Sequence, residues 1–248
     1  MKLCFVFVLV FAGAAFGTIE KRIFGGRNCD KDRQYHVQIK SKQRRTSCGG
    51  SLIGRQWVIT AAHCAEQLVT VKLGVNYDAS FFSKEKFFKS EQTIDKDQHF
   101  YFKDEEEHPH DIVLIKLNEE ASVKFPIIGL PPAGCTRPKE NEQVKVGGWG
   151  ADSPKGKPSK KLKCATTKLG KCGDNDKPGS KYHSDESTTM CATTTGIQSC
   201  YGDGGSAVEY NHLLYGIIVS DPVDICASPI VMLDICFYRK WIEETMSK

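Results

Sequence analysis

Residues 200–207 read Cys200-Tyr201-Gly202-Asp203-Gly204-Gly205-Ser206-Ala207. Glycines crowd a single acidic residue here, and Gly204, directly after that aspartate, carries no nucleophilic atom. The nearest serine, Ser206, lies two residues downstream, displaced by up to about 6.6 Å of extended backbone. Attack on a carbonyl needs contact at about 3 to 3.5 Å with the stabilising donors aligned. Ser206 is therefore read as a surface serine and not as a replacement nucleophile.

Further blocks lie outward from this loop. Cys48-Gly49-Gly50-Ser51-Leu52-Ile53 precedes Trp57-Val58-Ile59-Thr60-Ala61-Ala62-His63-Cys64, and Asp111 heads the apolar run Ile112-Val113-Leu114-Ile115-Lys116-Leu117. Gly147-Gly148-Trp149-Gly150 follows, and near the start stands Lys21-Arg22-Ile23-Phe24-Gly25-Gly26. Each alone is weak, since a lone histidine is more often structural and an aspartate before a strand is often a turn residue. In the order His63, Asp111, Gly204 they resemble the chymotrypsin/trypsin-like serine proteases, whose nucleophile loop reads Cys-x-Gly-Asp-Ser-Gly-Gly-Pro.

The resemblance runs from Ile23 to Lys248. It implies an all-β fold of two packed six-stranded antiparallel barrels, with the site in the cleft between them and a C-terminal α-helix within Phe237 to Met246. It also implies roles. His63 takes the general-base position, Asp111 orients it, and Gly204 falls where the serine belongs. Cleavage after Arg22 would free Ile23 to fold inward and pair with Asp203, since a buried ammonium and a buried carboxylate each need a partner.

A length of 248 residues with 40% hydrophobic content suits one all-β domain or two small fused ones. Tyr35 to Lys40 and Val69 to Leu73 alternate apolar and polar residues as half-buried strands do. Lys2 followed by 14 residues from Leu3 to Phe16 reads as a signal peptide ending near Gly17; a membrane span needs about 20 apolar residues. The expected organisation is a signal at 1–17, a short propeptide at 18–22 and a chymotrypsin-like domain at 23–248. The formal net charge of +4 loses three positives and one negative with residues 1–22, and so weak a bias does not point to nucleic acid.

Eleven cysteines are present, of which Cys4 lies in the signal; the even remainder suits a disulfide-permissive compartment. The paired Cys-x-x-Cys spacing of zinc sites is absent. By family position the pairs are Cys48 with Cys64, Cys29 with Cys164, Cys135 with Cys236, Cys172 with Cys191, and Cys200 with Cys226. One common family bridge is missing, with both its positions changed, at about Val144 and Tyr210. No cofactor or metal is expected: the family's calcium loop has Val75 at its first carboxylate position, and Glu105-Glu106-Glu107 beside His108 reads as a solvated acidic loop.

The substrate pocket implied by the resemblance is degenerate. Gln198 takes the floor position, Tyr201 lies in the loop, and the strand that would pair with a bound peptide reads Ser220-Asp221-Pro222. Proline has no N–H to give. Ile230 stands where a wall glycine belongs.

Retention of the fold, activation site and bridges, with loss of nucleophile, walls and floor, resembles a pseudoprotease. The pattern is most similar to the group 3 allergen proteases of mites, and within them to the inactivated paralogues of parasitic mites. That resemblance implies a secreted, monomeric binding protein acting on host defence proteins, complement components in particular. A residual or unusual serine hydrolase and an inert secreted antigen remain open beside it. Lys40, Lys42, Arg44 and Arg45 crowd one loop; Lys155, Lys157, Lys160, Lys161, Lys163, Lys168 and Lys171 crowd a second region. These are candidate binding loops, possible sites for polyanions too, although solvated lysines also simply keep a secreted protein soluble.

Overall fold

Eight strands, β1 (Arg27–Asn28), β2 (His36–Ser41), β3 (Ser47–Gly54), β4 (Trp57–Thr60), β5 (Val69–Lys72), β6 (Glu91–Ile94), β7 (His99–Lys103) and β8 (Pro109–Lys116), lie in the first half of the chain. Six more, β9 (Gln143–Gly148), β10 (Lys163–Gly170), β11 (Thr189–Ala192), β12 (Ala207–Tyr210), β13 (Leu213–Ile218) and β14 (Ile230–Asp234), precede the helix α1 (Ile235–Met246). The structure, a computed structural model, describes residues 26–42, 47–76, 91–151, 159–194, 196–200, 202–220 and 226–248. The signal, the propeptide, Arg22, Ile23, Arg44, Arg45, Lys155, Lys157, Tyr201, Asp221 and Pro222 lie outside the described residues.

The strands form two antiparallel, barrel-like sheets. The first runs β6-β5-β2-β3-β4-β8-β7, and the second runs β1-β10-β11-β14-β13-β12-β9. In the second, β9 pairs back onto β10, which closes a ring and leaves the two-residue β1 as an added edge strand. Closure satisfies backbone groups that an open edge would leave exposed. Among the described residues each sheet has seven strands where six were expected, the added strand of the second being β1; with the C-terminal helix the architecture is all-β as expected.

Burial follows the sequence pattern. Val37 and Ile39 of β2, and Val69 and Val71 of β5, are each at most 1% exposed, while Lys40 and Lys72 face outward. By contrast, β4 and the Ile112–Ile115 run of β8 are buried on both faces, as their unbroken apolar sequence requires. In α1 the buried Ile235, Tyr238, Ile242 and Thr245 recur at helical spacing. Asp234 caps α1 by accepting the Cys236 N–H at 2.9 Å. The helix reaches back to the first sheet, where the Tyr238 hydroxyl meets His110 Nδ1 at 2.7 Å.

All five disulfides pair as the resemblance implied: Cys29–Cys164, Cys48–Cys64, Cys135–Cys236, Cys172–Cys191 and Cys200–Cys226. Two readings need correction. Ser206 is fully buried instead of exposed. Its amide donates to Asp203 O and its carbonyl accepts from Ile218, which turns the side chain inward. Lys163 is 4% exposed, with its ammonium bonded to Asn28 Oδ1, so it does not belong to a surface cluster.

Candidate functional site

His63 sits in a 3-10 turn, Ala62–Cys64, directly after β4, and the Cys48–Cys64 bridge ties that turn to β3. Asp111 enters from β8 with a wholly buried side chain. Its Oδ1 accepts the His63 backbone N–H at 2.8 Å, and its Oδ2 lies 2.8 Å from His63 Nδ1. One carboxylate thus fixes both the main chain and the ring of the histidine, leaving Nε2 directed across the cleft.

Gly204 stands at the other side of that ring. A Cβ built on Gly204 would lie 2.7 Å from His63 Nε2 and 3.2 Å from Cε1. The two positions are therefore brought together as expected, and more tightly than a side chain on residue 204 would allow. The imidazole occupies room that a nucleophile's Cβ would need.

The loop around Gly204 is held by close backbone approach. Gly205 has φ +77°, and a Cβ there would fall 2.0 Å from Thr60 Oγ1 and 2.4 Å from Gly49 O. Only glycine accommodates both conditions. Gly49 N–H donates to Gly204 O at 2.8 Å, and Thr60 Oγ1 donates to Gly49 O at 2.7 Å, so β3 and β4 of the first sheet clamp a loop that leads into the second. Among the described residues, the Gly202 and Gly204 amides donate to no backbone carbonyl.

Ser206 points the opposite way. A Cβ on Gly49 would meet Ser206 Oγ at 2.0 Å and His36 Cε1 at 2.8 Å, so the serine hydroxyl faces β2 and β3 in the interior and not His63. Its Oγ has no hydrogen-bond partner among the described residues.

Asp203 is fully buried, with Oδ1 accepting from Gly150 N and Oδ2 from Cys200 N, each at 2.8 Å. A Cβ on Gly148 or Gly150 would strike its carboxylate at 2.0 to 2.2 Å, which accounts for the glycines around Trp149. Burial pushes its pKa up to about 7, against the lowering effect of those two amides. Among the described residues no cation lies within ion-pair distance of it.

Of the described pocket positions, Ile230 lies in β14, and Gln198 and Ser220 lie outside the named strands. Gln198 is half-buried, and the next residue, Ser199, bridges to Ala227. Ser220 is 5% exposed, and its Oγ accepts from Val231 N at 2.8 Å. Ile230 is fully buried opposite Ala192 and packs in a cluster with Met190, Val208 and Ile218, against which Ile197 lies. Lys40, Lys42, Lys160 and Lys161 are exposed. Lys168 lies toward the far end of β10, about 17 Å of strand beyond Lys163, so the second basic region is split in two.

Sequence reasoning did not single out Tyr182 and Glu66. The Tyr182 hydroxyl donates to Glu66 Oε1 at 2.8 Å, and Lys181 pairs with the same oxygen at 2.6 Å. Burial, and then the negative charge of Asp111, raise the Tyr182 pKa and keep that phenol protonated beside the His63–Asp111 pair. No local signal marks this contact, because 116 residues separate its partners.

A family model described as trypsin matches residues 23–242. Kallikrein-8 of Mus musculus is 31% identical over 252 residues, covering 97% of this chain and 94% of the relative. Trypsin-1 of Salmo salar is 31% identical over 259 residues, covering 98% of each. Among solved structures, neuropsin, a serine protease of mouse brain, superposes with a TM-score of 0.66 at 32% identity, covering 89% of this chain and 98% of that one. Human heparin binding protein superposes at 0.69 with 23% identity, covering 90% and 96%, a likeness of fold. With its histidine, aspartate and nucleophile loop assembled in one cleft, this chain belongs to the trypsin family of serine proteases.

Proposed function

We propose that the chain is a secreted, proteolytically inactive member of this family that works as a binding protein, with host defence proteins, complement components in particular, as its partners. In this reading residues 1–17 are a cleaved signal, 18–22 a propeptide and 23–248 the binding domain, a monomer without cofactor. The group 3 allergen proteases of mites, and the inactivated paralogues of parasitic mites, are the relatives it is taken to resemble in role. The observation that supports it is the juxtaposition of Gly204 and His63: residue 204 carries no nucleophilic atom, and a Cβ built there would lie only 2.7 Å from His63 Nε2.

Passage of host plasma over the immobilised protein tests the reading, with complement deposition on an activating surface as the functional measure. Retention of complement components and a dose-dependent fall in deposition are expected. Unchanged deposition with no component retained would leave the inert-antigen reading in its place. Charge reversal at Arg44, Arg45, Lys160 and Lys161 should weaken capture about tenfold and blunt its salt dependence. His63→Ala and Asp111→Ala should bind as the parent does; the reverse pattern would move the binding surface into the cleft. Capture on immobilised heparin would reveal a polyanion contribution from the same lysines.

A second reading, residual hydrolysis, draws on the intact His63–Asp111 pair. Reversion separates it from the first. Gly204→Ser alone should not restore arginine-specific cleavage, because His63 must first yield to a Cβ 2.7 Å from its Nε2 and because Pro222 and Ile230 align with the family's pairing and pocket positions. Adding Pro222→Gly and Ile230→Gly should raise turnover over the single revertant. Robust cleavage of an arginine substrate by Gly204→Ser alone would show that the pocket is sound.

A further inference from the structure

We propose that Asp104, His108 and His183 form a binding site for a divalent transition-metal ion of the zinc class, at the junction of the two barrels. One donor atom from each of the three lies within 4.8 Å of the other two. His108 Nδ1 is already 3.2 Å from Asp104 Oδ2, close to the about 3.4 Å between donors that bonds of about 2.0–2.1 Å in a tetrahedron require. Two imidazoles and a carboxylate, with an open position for water, suit zinc; calcium and magnesium prefer all-oxygen cages.

The donors are positioned before any ion arrives. Asp104 Oδ1 accepts the N–H groups of Glu106 at 3.0 Å and His108 at 2.8 Å, which locks the carboxylate in the turn and leaves Oδ2 facing the histidines. His183 arrives from the segment between β10 and β11, and its N–H donates to Pro109 O at 2.8 Å. That bond seats it beside His108, with the two rings stacked at 5.2 Å between centroids and 18° between planes. The His108 and His183 side chains are 49% and 41% exposed, so small rotations can close the set.

His110 supplies a second, independent observation. It is 2% exposed, its Nε2 has no hydrogen-bond partner, and that nitrogen lies 3.5 Å from Asp104 Oδ2. Its other nitrogen is occupied by the Tyr238 hydroxyl at 2.7 Å. Its Nε2 faces the same Asp104 oxygen that His108 Nδ1 approaches, so the buried ring is aimed at the rear of the donor set. His110 thus lines the rear of the site behind Asp104. It directly precedes Asp111, so an ion here would staple the β7–β8 turn to the second barrel next to the His63–Asp111 pair. This inference stands apart from the proposed binding role.

Calorimetric titration of the disulfide-intact mature chain with Zn²⁺, and the visible absorption of the Co²⁺ form, test it. One ion per chain is expected, with tetrahedral cobalt bands and no heat from Ca²⁺. His108→Ala, His183→Ala and Asp104→Asn should each weaken uptake by roughly a hundredfold, while His212→Ala, at a separate turn, should leave it unchanged. Because His108 and His183 are surface residues, their variants should keep the parent's circular dichroism; should one fail to fold, His183→Gln gives the same reading. Absence of saturable zinc uptake, or uptake that survives loss of both His108 and His183, overturns the proposal.

Discussion

Peptide hydrolysis by the protein matured at Ile23 is expected to stay at the uncatalysed background with trypsin, chymotrypsin and elastase substrates. Loss of the serine from a triad of this type costs about a millionfold in rate, on the order of 8 kcal/mol of transition-state stabilisation. The His63–Asp111 pair is geometrically complete, with Nδ1 and Oδ2 2.8 Å apart, yet Gly204 gives it nothing to deprotonate. The serine two residues away offers no rescue, since it is wholly buried and its hydroxyl lies against Gly49 and His36. Progress curves with chromogenic substrates check the expectation. Turnover that disappears in Ser206→Ala would place the nucleophile at the wrong residue in the present assignment; turnover that survives there and disappears in His63→Ala would support the residual-hydrolase reading.

Much of the fold was legible because it is written in contiguous blocks. The apolar run after Asp111 and the alternation at Tyr35–Lys40 and Val69–Leu73 mark strands that the structure contains, and the glycines at 202, 204 and 205 sit in the loop the family resemblance implied. Family position gave every bridge correctly. What remained hidden depends on rotations and distant neighbours. Nothing around Ser206 states which way its side chain turns; that is set by the Asp203 and Ile218 hydrogen bonds on either side of it. Lys163 reads as one lysine among many until β10 pairs with β1 and delivers its ammonium to Asn28. Glu105-Glu106-Glu107 drew attention as an acidic run, whereas the donor set gathers around Asp104, just before it, and is completed by His183 from another barrel. Likewise the closeness of His63 and Gly204 is a property of how two sheets dock.

Cleavage after Arg22 is expected to change the pH dependence of stability, through Asp203. Its carboxyl has an ordinary value of 3.8 and is pushed up to about 7 by complete burial. Between those values the folded, uncut chain holds a proton there that the unfolded chain has released, so stability falls as pH rises from about 4 to about 7. At about 1.36 kcal/mol per pKa unit the loss amounts to about 4 kcal/mol. An ammonium from a freed Ile23 would pair with the ionised carboxylate and recover this loss above pH 7, whereas at pH 4 the carboxyl is neutral and the ammonium would gain nothing by insertion. The cut and uncut proteins should therefore melt alike near pH 4 and diverge by about 10 °C at pH 8, given the shift of about 2–4 °C per kcal/mol for a chain of this size. His36 pulls the other way: burial and the neighbouring Arg33 hold its pKa down at about 3, so it withdraws stability as pH falls below 6.5. It does so in both forms, and the difference between the two melting curves isolates Asp203. Asp203→Asn should flatten the pH response of the uncut form and abolish the divergence, as should acetylation of the Ile23 amine. Parallel melting curves for cut and uncut protein from pH 4 to pH 8 would show that the new terminus does not reach Asp203.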